Sequence, residues 1–261
     1  MRKSSLLWKL SQNNLPDSYL FGTVHLLPKA QFFIPDKIKN ALLQSDNLWI
    51  EIDITNSSEQ EVAKKMMQNN ISLKEAFSSE EYNFLSDVFK KELQQEISNY
   101  QFMQPIFILY LYLQHKMQGK TISYENELCS IANSSGIKIN GLSSAEEQYN
   151  YGIEAVSYKD LLETFVAIQH WDFEQVFIEL MQYYQTENLV QLTHWIEKYS
   201  FQNTKIHSIL LEKRNLIWTE RITKISTQNS HFFAIGAAHL LGKTGMISLL
   251  KNKGFCVEAI F

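Results

Sequence analysis

The chain has 261 residues, of which 45% are hydrophobic and 20% are charged. These are ordinary values for a globular protein, and a chain of this length buries enough surface to fold without a disulfide or metal staple. The formal net charge is −4, and the lysines and arginines are dispersed along the chain. A nucleic-acid-binding protein would cluster them on one basic face, so the composition excludes that class.

Apolar runs near the start and in the middle of the chain are too short for export or membrane signals. The run Leu6–Trp8 ends at Lys9, whereas the core of a signal peptide needs about 7–15 apolar residues. The longest run, Pro105–Leu113, falls short of the roughly 20 residues of a transmembrane helix and predicts a buried helix. We expect a soluble protein with no transmembrane segment, cytoplasmic as the chain stands and exported if a leader precedes it.

The N-terminal part predicts a β–β–α–β unit. Two runs of β-formers, SLLWKLS and SYLFGTVH, flank the turn-rich QNNLPD and predict a hairpin. The segment DKIKNALLQS places its apolar residues on one face and predicts a helix. NLWIEIDI then predicts a central strand, in which Glu51 and Asp53 are unexpected acids.

The remainder predicts a helical segment followed by a second α/β unit. Residues 57–229 are poor in Gly and Pro and rich in helix formers, with one short buried strand at IKINGL. Residues 230–261 return to strand, helix and strand. We therefore predict a single α/β domain over residues 1–261, with a central mixed sheet built from 1–56 and 230–261 and a mostly helical insert between them.

The same motif, Gly-x-x-His, follows an apolar run at both ends of the chain. It joins Gly22 to His25 in FGTVH and Gly236 to His239 in IGAAH. Random placement of the 9 glycines and 7 histidines gives roughly 0.24 such motifs. The two ends therefore read as copies of one strand–GxxH–helix–strand unit, and their short helical crossovers predict parallel pairing with right-handed connections.

Two histidines at strand ends and one acid in an apolar strand indicate a metal site. Ligands bind outside the carboxyl ends of strands in open α/β sheets, where His25 and His239 are expected. Two imidazoles and a carboxylate form a three-ligand set typical of catalytic metals. Glu51 is the natural third ligand, because a carboxylate there must be paired or ligated; otherwise it would be the general base that activates a metal-bound water. The glycines would let a ligand approach closely, and Asp53 would support the ligands from behind.

The sequence resembles the TraB/PrgY/GumN family. The matching segments are LLWKLS, YLFGTVHLLP, WIEIDI, LEKRNLIWTERI and FFAIGAAHLLGKTGMISLLKNKGF. The resemblance implies an erythromycin-esterase/ChaN-like α/β fold and, from the TIKI branch of metalloproteases, a divalent-metal site in which Mn²⁺ or Co²⁺ is favoured and Zn²⁺ is an option. By position, it implies that His25, His239 and Glu51 form this site.

The resemblance also implies that three residues of a later helix belong to the site. Arg214 and Asn215 fall on the RN pair of the family, and Arg221 on its later arginine. An arginine there would clamp a substrate carboxylate or an oxyanion. The alternative is a structural salt bridge to the sheet.

Two positions depart from the family pattern. Glu125 in SYEN replaces the acid of a G-x-D motif, and Ser143 in GLSSAEEQ stands where relatives often have Glu, while Gln148 is kept. The substitution at Ser143 leaves open whether the site is catalytic.

Three functions follow. The first is a metal-dependent hydrolase, with a peptidase as the favoured kind. In it Glu51 and Arg214 are catalytic, and the substrate is a peptide or small molecule. The second is a non-catalytic peptide-binding or sequestering protein of the PrgY type, and the third an esterase of small lactones, by fold analogy alone. An exposed strand edge at LLWKLS suggests a homodimer.

Overall fold

The structure is a computed structural model that describes residues 4–12, 15–25, 27–29, 32–116, 121–199, 203–225 and 228–261. Residues 1–3 and residues 13 and 14 of the predicted turn lie outside these ranges. The strands are β1 Leu7–Ser11, β2 Ser18–Thr23, β3 Leu27–Pro28, β4 Asn47–Ile52, β5 Thr121–Ile122, β6 Lys138–Ser143, β7 His231–Gly236 and β8 Cys256–Ala259.

The α-helices are α1 Asp36–Leu43, α2 Ser57–Met66, α3 Leu73–Ala76, α4 Ser79–Val88, α5 Pro105–Lys116, α6 Tyr124–Ser134, α7 Ala145–Ala155, α8 Tyr158–Ile168, α9 Phe173–Gln185, α10 Leu189–Tyr199, α11 Thr204–His207, α12 Arg214–Ile225 and α13 Met246–Asn252. Phe89–Leu93 and Ser208–Lys213 form π-helical turns, and Ile97–Tyr100 and Ala237–His239 form 3₁₀ turns.

A six-stranded sheet in the order β6-β4-β7-β2-β1-β8 forms the centre of the protein. The pairs β6/β4, β4/β7 and β7/β2 are parallel, whereas β1 is antiparallel to both of its neighbours. The predicted fold class is confirmed, since strands from both termini build one mixed sheet with a helical region between them. The β1–β2 hairpin is confirmed, and β6, from the middle of the chain, adds the strand predicted at IKINGL.

Two predictions about strand neighbours are wrong. The strands of each terminal unit run in the same direction, but they do not pair with each other: β7 separates β2 from β4, and β2 and β1 separate β7 from β8. The two units are therefore interleaved. The segment LLWKLS is not an exposed edge, because β1 is hydrogen-bonded on both sides. That segment therefore has no free strand edge through which two copies of the chain could pair. The homodimer itself stays a prediction.

Side chains that cap the helices explain where many of them begin. Ser78 and Ser144 accept hydrogen bonds from the backbone three residues ahead, and Glu81 and Glu147 bond back to the backbone of the serine. Such capping boxes satisfy amides that lack a partner within the helix. Polar residues between the apolar runs therefore set the helix starts.

Buried side chains form a large core around the sheet and a second core among the helices. The sheet core includes Phe21, Ile50, Trp218 and Phe233. The core among the helices includes Phe165, which is fully buried. The apolar run at the start of α5 is helical as predicted, but it is buried on one face only. Within the described ranges, no helix is long and apolar enough to span a bilayer.

Candidate functional site

The predicted histidines and acid meet at the carboxyl ends of three parallel strands. His25 follows β2 by two residues, Glu51 is next to last in β4, and His239 ends the short 3₁₀ turn that follows β7. Because β7 lies between β2 and β4, its neighbours deliver their side chains from either side. The interleaved strand order, which the sequence did not predict, is thus what brings the residues together.

Both imidazoles face one oxygen of Glu51. The Nε2 atom of His25 lies 3.8 Å from Glu51 Oε1, and the Nε2 atom of His239 lies 3.9 Å from the same oxygen. The backbone N–H of Gly236 donates a 2.8 Å hydrogen bond to Oε1. Arg214 donates from Nη2 to the other oxygen, Oε2. Glu51 is thus the residue that the two histidines, Gly236 and Arg214 all contact or face.

Arg214 is the first residue of α12 and directly follows the π-helical turn. Its Nη1 donates to the carbonyl of Leu210 at 3.0 Å, and its guanidinium carbon lies 4.5 Å from the ring centroid of Trp218. Nε is buried and has no hydrogen-bond partner among the described residues. A cation–π contact and two hydrogen bonds therefore fix the guanidinium, and the N–H of Nε has no partner among the described residues.

Asn215 orients His239. The amide nitrogen Nδ2 of Asn215 donates to the carbonyl of Thr244 at 2.8 Å, which leaves its Oδ1 as an acceptor 2.6 Å from His239 Nδ1. His239 therefore carries its proton on Nδ1, and the lone pair of Nε2 faces Glu51. The ring of Trp218 packs against His239 at a centroid distance of 4.7 Å.

Glu125 is the partner of His25. Its Oε1 lies 2.9 Å from His25 Nδ1 and accepts from the hydroxyl of Thr23, and its Oε2 accepts a 2.7 Å hydrogen bond from Ser123. The side chain of His25 is 53% exposed, whereas that of Glu125 is 8% exposed. His25 therefore forms the rim of the site over a buried acid.

Four ionisable side chains of the site have strongly shifted pKa values. Burial raises the pKa of Glu51, but the charges of Arg214 and His25 outweigh it and lower the pKa to about 2. Burial likewise opposes ionisation of Glu125, and His25 with its hydrogen bond lowers that pKa to about 2. The charge of Glu125 raises the pKa of His25 to about 9, whereas burial, aided by Arg214, lowers the pKa of His239 to about 3. The site therefore holds two carboxylates, a protonated His25 and a neutral His239 at neutral pH.

The two predicted glycines differ in what surrounds them. A Cβ atom on Gly22 would lie 2.6 Å from Leu240 Cδ1 and 3.1 Å from Ala237 Cα, so a side chain here would force its neighbours to shift. A Cβ atom on Gly236 would lie 3.4 Å from Glu51 Oε1 and 3.6 Å from both His239 Cδ2 and His25 Nε2. Gly236 therefore lines the space onto which the three side chains converge.

Three other predicted residues make their contacts elsewhere. Asp53 accepts from the amide and hydroxyl of Thr55 in the turn after β4. Arg221 forms an ion pair with Glu147. The Nε2 of Gln148 is buried without a partner in the described part of the chain. None of these hydrogen bonds reaches the histidines or Glu51.

Ser143 links Arg221 to the site indirectly. Its hydroxyl accepts a 2.9 Å hydrogen bond from Trp218 Nε1 and lies 3.3 Å from Arg221 Nη1. Arg221 also donates to the carbonyl of Leu142. The serine that replaces a glutamate in the motif therefore holds the tryptophan that packs on His239.

Sequence reasoning singled out Glu125 only as a departure from a motif, and it gave Trp218 no role. For Glu125 the local sequence offers only an acid in the first turn of a helix, which is a common feature and no signal of a site. For Trp218 the signal was an aromatic residue one helical turn after Arg214, a spacing that places both on one face.

No group of three or more His, Cys, Asp or Glu side chains in the described ranges has an arrangement that could hold a metal ion. The two histidines face Glu51, but its oxygens already accept hydrogen bonds from Gly236 and Arg214. As it stands, the site is a closed network of hydrogen bonds and ion pairs.

Comparisons with known proteins agree with the motifs. The model of the TraB/PrgY/gumN family matches residues 6–259. The metalloprotease TIKI2 of Danio rerio is 23% identical over 314 aligned positions, which cover 98% of this chain and 61% of the relative. The metalloprotease TIKI1 of Homo sapiens is 42% identical over 53 residues, which cover 20% of this chain and 10% of the relative. The chain thus spans about three fifths of the first relative.

Proposed function

The chain belongs to the TraB/PrgY/gumN family, and from this membership and the geometry of the site we propose that it is a metal-dependent hydrolase that acts on peptides. His25, His239 and Glu51 would hold the metal, and Arg214 would bind a developing negative charge. The relatives that match are named metalloproteases, which supports this reaction class.

One observation carries the proposal: two Nε2 atoms face the same carboxylate oxygen while both Nδ1 atoms are engaged from behind. Ligating histidines in proteins nearly always donate their other N–H to a carboxylate or carbonyl oxygen, which fixes the ring. Here Glu125 takes that role for His25 and Asn215 takes it for His239. A histidine pair with only a structural role has no need for two Nε2 atoms directed at one carboxylate oxygen.

Two of the three distances between the proposed ligand atoms slightly exceed those of a tetrahedral site, so ligation would require these side chains to move closer together. Ligand atoms on one tetrahedral ion lie about 3.4 Å apart, and the two Nε2 atoms lie 3.8 and 3.9 Å from Glu51 Oε1. The space between these atoms is kept open because Gly236 has no side chain. Binding would require His25 to lose its Nε2 proton, since only a neutral imidazole can ligate.

A divalent metal held there would lower the pKa of a bound water and polarise a substrate carbonyl. The residues of the chain would do the rest. Glu51 would accept a proton if it serves as a base rather than as a ligand. The Nε of Arg214, which has no hydrogen-bond partner in the described part of the chain, would donate to the oxygen on which charge develops. The family resemblance favours Mn²⁺ or Co²⁺, with Zn²⁺ as an option.

A second function, peptide binding without turnover, is favoured by the occupied oxygens of Glu51. Its Oε1 and Oε2 already accept hydrogen bonds from Gly236 and Arg214, so the carboxylate is satisfied without a metal. In that case His25 on the exposed rim would contact a peptide through charge and hydrogen bonds. Ser143, at a position where relatives often have Glu, agrees with a site that has lost its chemistry.

The test compares metal affinity with cleavage. The protein is dialysed against EDTA, reloaded with MnCl₂, CoCl₂ or ZnCl₂ in turn, and incubated with a mixed peptide library that is read by mass spectrometry. We expect metal-dependent cleavage that falls by about 100-fold or more in His25→Ala and in His239→Ala. The exposed His194 is the matched control, and His194→Ala should cleave like the wild type.

Two outcomes decide against the hydrolase. Unchanged metal affinity in both His25→Ala and His239→Ala would remove the metal site. Peptide binding without cleavage under any of the three metals would identify a binding protein instead.

A further inference from the structure

Glu125 is a buried acid that is neither a proposed metal ligand nor a proposed catalytic group. It lies in the first turn of α6, a hundred positions from His25 in sequence, and is 6% exposed. A carboxylate in such a place is costly unless it is paired and hydrogen-bonded. Its contacts therefore indicate what it is there to do.

Those contacts come from two hydroxyls and one imidazole. Thr23, the last residue of β2, donates to Oε1, and Ser123, the N-cap of α6, donates to Oε2. His25 Nδ1 lies 2.9 Å from Oε1. In the described ranges no lysine or arginine pairs with Glu125, so His25 is its charge partner. The two hydroxyls fix the carboxylate, and the carboxylate in turn fixes the imidazole.

We infer that Glu125 is a positioning residue that holds the exposed His25 ring with its Nδ1–H toward α6 and its Nε2 toward Glu51. This inference rests on the proposed function, because it takes His25 as a metal ligand and assigns Glu125 the task of orienting that ligand. It reaches beyond that function by placing part of the site on α6, outside the terminal strand–GxxH–helix units.

The two histidines need different support. His239 is 3% exposed and packs on Trp218, so its neighbours hold the ring even without its hydrogen bond to Asn215. The side chain of His25 is 53% exposed, and its ring would rotate freely about its side-chain bonds without Glu125. A charged acceptor also makes an imidazole a stronger ligand than a neutral amide does. Loss of Glu125 should therefore weaken metal binding even though Glu125 is not a proposed ligand.

The experiment measures metal affinity and ring order separately. The variant Glu125→Gln keeps the shape of the side chain but removes its charge, and Glu125→Asp restores the charge on a shorter side chain. The control is Glu127→Gln, two residues along the same helix. Affinities for MnCl₂, CoCl₂ and ZnCl₂ are measured by calorimetry on EDTA-treated protein, and the Nδ1 proton of His25 is followed by ¹H–¹⁵N NMR.

We expect metal affinity to fall by about 10–100-fold in Glu125→Gln, to recover in part in Glu125→Asp and to stay unchanged in Glu127→Gln. The hydrogen-bonded Nδ1 proton of His25 should exchange rapidly with water in Glu125→Gln. If that variant fails to fold, Thr23→Val removes one of the two hydroxyls that fix Glu125 and should lower the affinity by a smaller factor.

Equal metal affinity in the wild type and Glu125→Gln would overturn the inference while leaving the metal site intact. No metal binding by the wild type would instead refute the proposed function. The NMR signal then decides alone: loss of the protected Nδ1 proton in Glu125→Gln supports the positioning role, and its retention rejects it.

Discussion

At the scale of single residues, the contact between Glu51 and Arg214 dominates the site. Their side chains are 12% and 11% exposed, so both charges are largely withdrawn from water. Removing one partner of a buried pair leaves an uncompensated charge, whereas removing both does not. The pair is therefore expected to control stability as well as chemistry.

The first prediction concerns this pair. Arg214→Leu should destabilise the metal-free protein by about 3–5 kcal/mol, and Glu51→Gln combined with Arg214→Leu should recover most of that loss. Urea unfolding at neutral pH measures both. The control is Lys213→Leu, which removes the ion pair between Lys213 and Glu154. Because these two side chains are 46% and 51% exposed, the control should lower the free energy of unfolding by less than about 1 kcal/mol. Equal losses in the single and double variants would show that lost packing, not charge, is responsible.

Individual site residues were predictable where one position conflicts with its surroundings. Glu51 stands out as an acid in an apolar strand, and the repeated Gly-x-x-His motif singles out both histidines. Glu125 does not stand out, because an acid in the first turn of a helix is favourable anywhere. Its contact with His25 depends on how α6 meets β2, and nothing in the local sequence specifies that.

At the scale of elements, the ends of β2 and β7 carry glycines with different tasks. Gly22 lies against Leu240, and its carbonyl accepts a 2.8 Å hydrogen bond from the hydroxyl of Tyr184. Gly236 faces the three central side chains. The same motif therefore packs the fold at one strand end and opens the site at the other.

The second prediction separates these tasks. Gly22→Ala should destabilise the protein by about 1–3 kcal/mol, because the new methyl group overlaps Leu240 in a filled core. Gly236→Ala should change stability by less than about 1 kcal/mol, since its closest contacts are ordinary ones, but it should lower metal affinity. Thermal unfolding and calorimetry with CoCl₂ test the two variants in parallel. Wild-type metal affinity in Gly236→Ala would mean that the ion does not occupy the space beside this glycine.

The order of the strands was less predictable than their existence. Hydrophobic patterns located β2, β4, β7 and β8, but a crossover helix specifies direction and not which strand becomes the neighbour. The strand β7 inserts between β2 and β4 because its side chains are buried all along its length, as a strand covered on both faces requires. The π-helical turn Ser208–Lys213 was also unforeseen. Such turns often occur at functional sites, and this one leads directly into Arg214.

At the scale of the whole molecule, the site depends on both ends of the chain. His25 and His239 come from opposite termini, and Glu51 and Arg214 are far apart in sequence. Near the ends, the hydroxyl of Ser5 donates to the carbonyl of Ile260 at 2.5 Å. The site therefore exists only when β2, β4 and β7 are paired in the sheet, and its charges should contribute to global stability.

The last prediction is that the stability of the metal-free protein has a maximum near pH 6.5. The folded pKa values of Glu51 and Glu125 are about 2 and that of His239 is about 3, all below their unfolded values. Their contribution is therefore present above the unfolded pKa and lost as pH falls toward the folded one. His25 has a folded pKa of about 9, so its contribution is complete below 6.5 and is lost as pH rises through 9. Solvent reaches its ring, which makes the alkaline loss the smaller of the two.

Urea unfolding in EDTA between pH 4 and pH 10 tests this profile. The free energy of unfolding should decrease on both sides of the maximum, and His25→Asn should flatten the alkaline side. The same variant should also reduce the acid side, because His25 helps to lower the pKa values of Glu51 and Glu125. His194→Asn, on the exposed face of α10, should leave the whole profile unchanged. An alkaline decrease of the same size in His25→Asn would mean that another group causes it, and the ion pair between His25 and Glu125 would then contribute little to the fold.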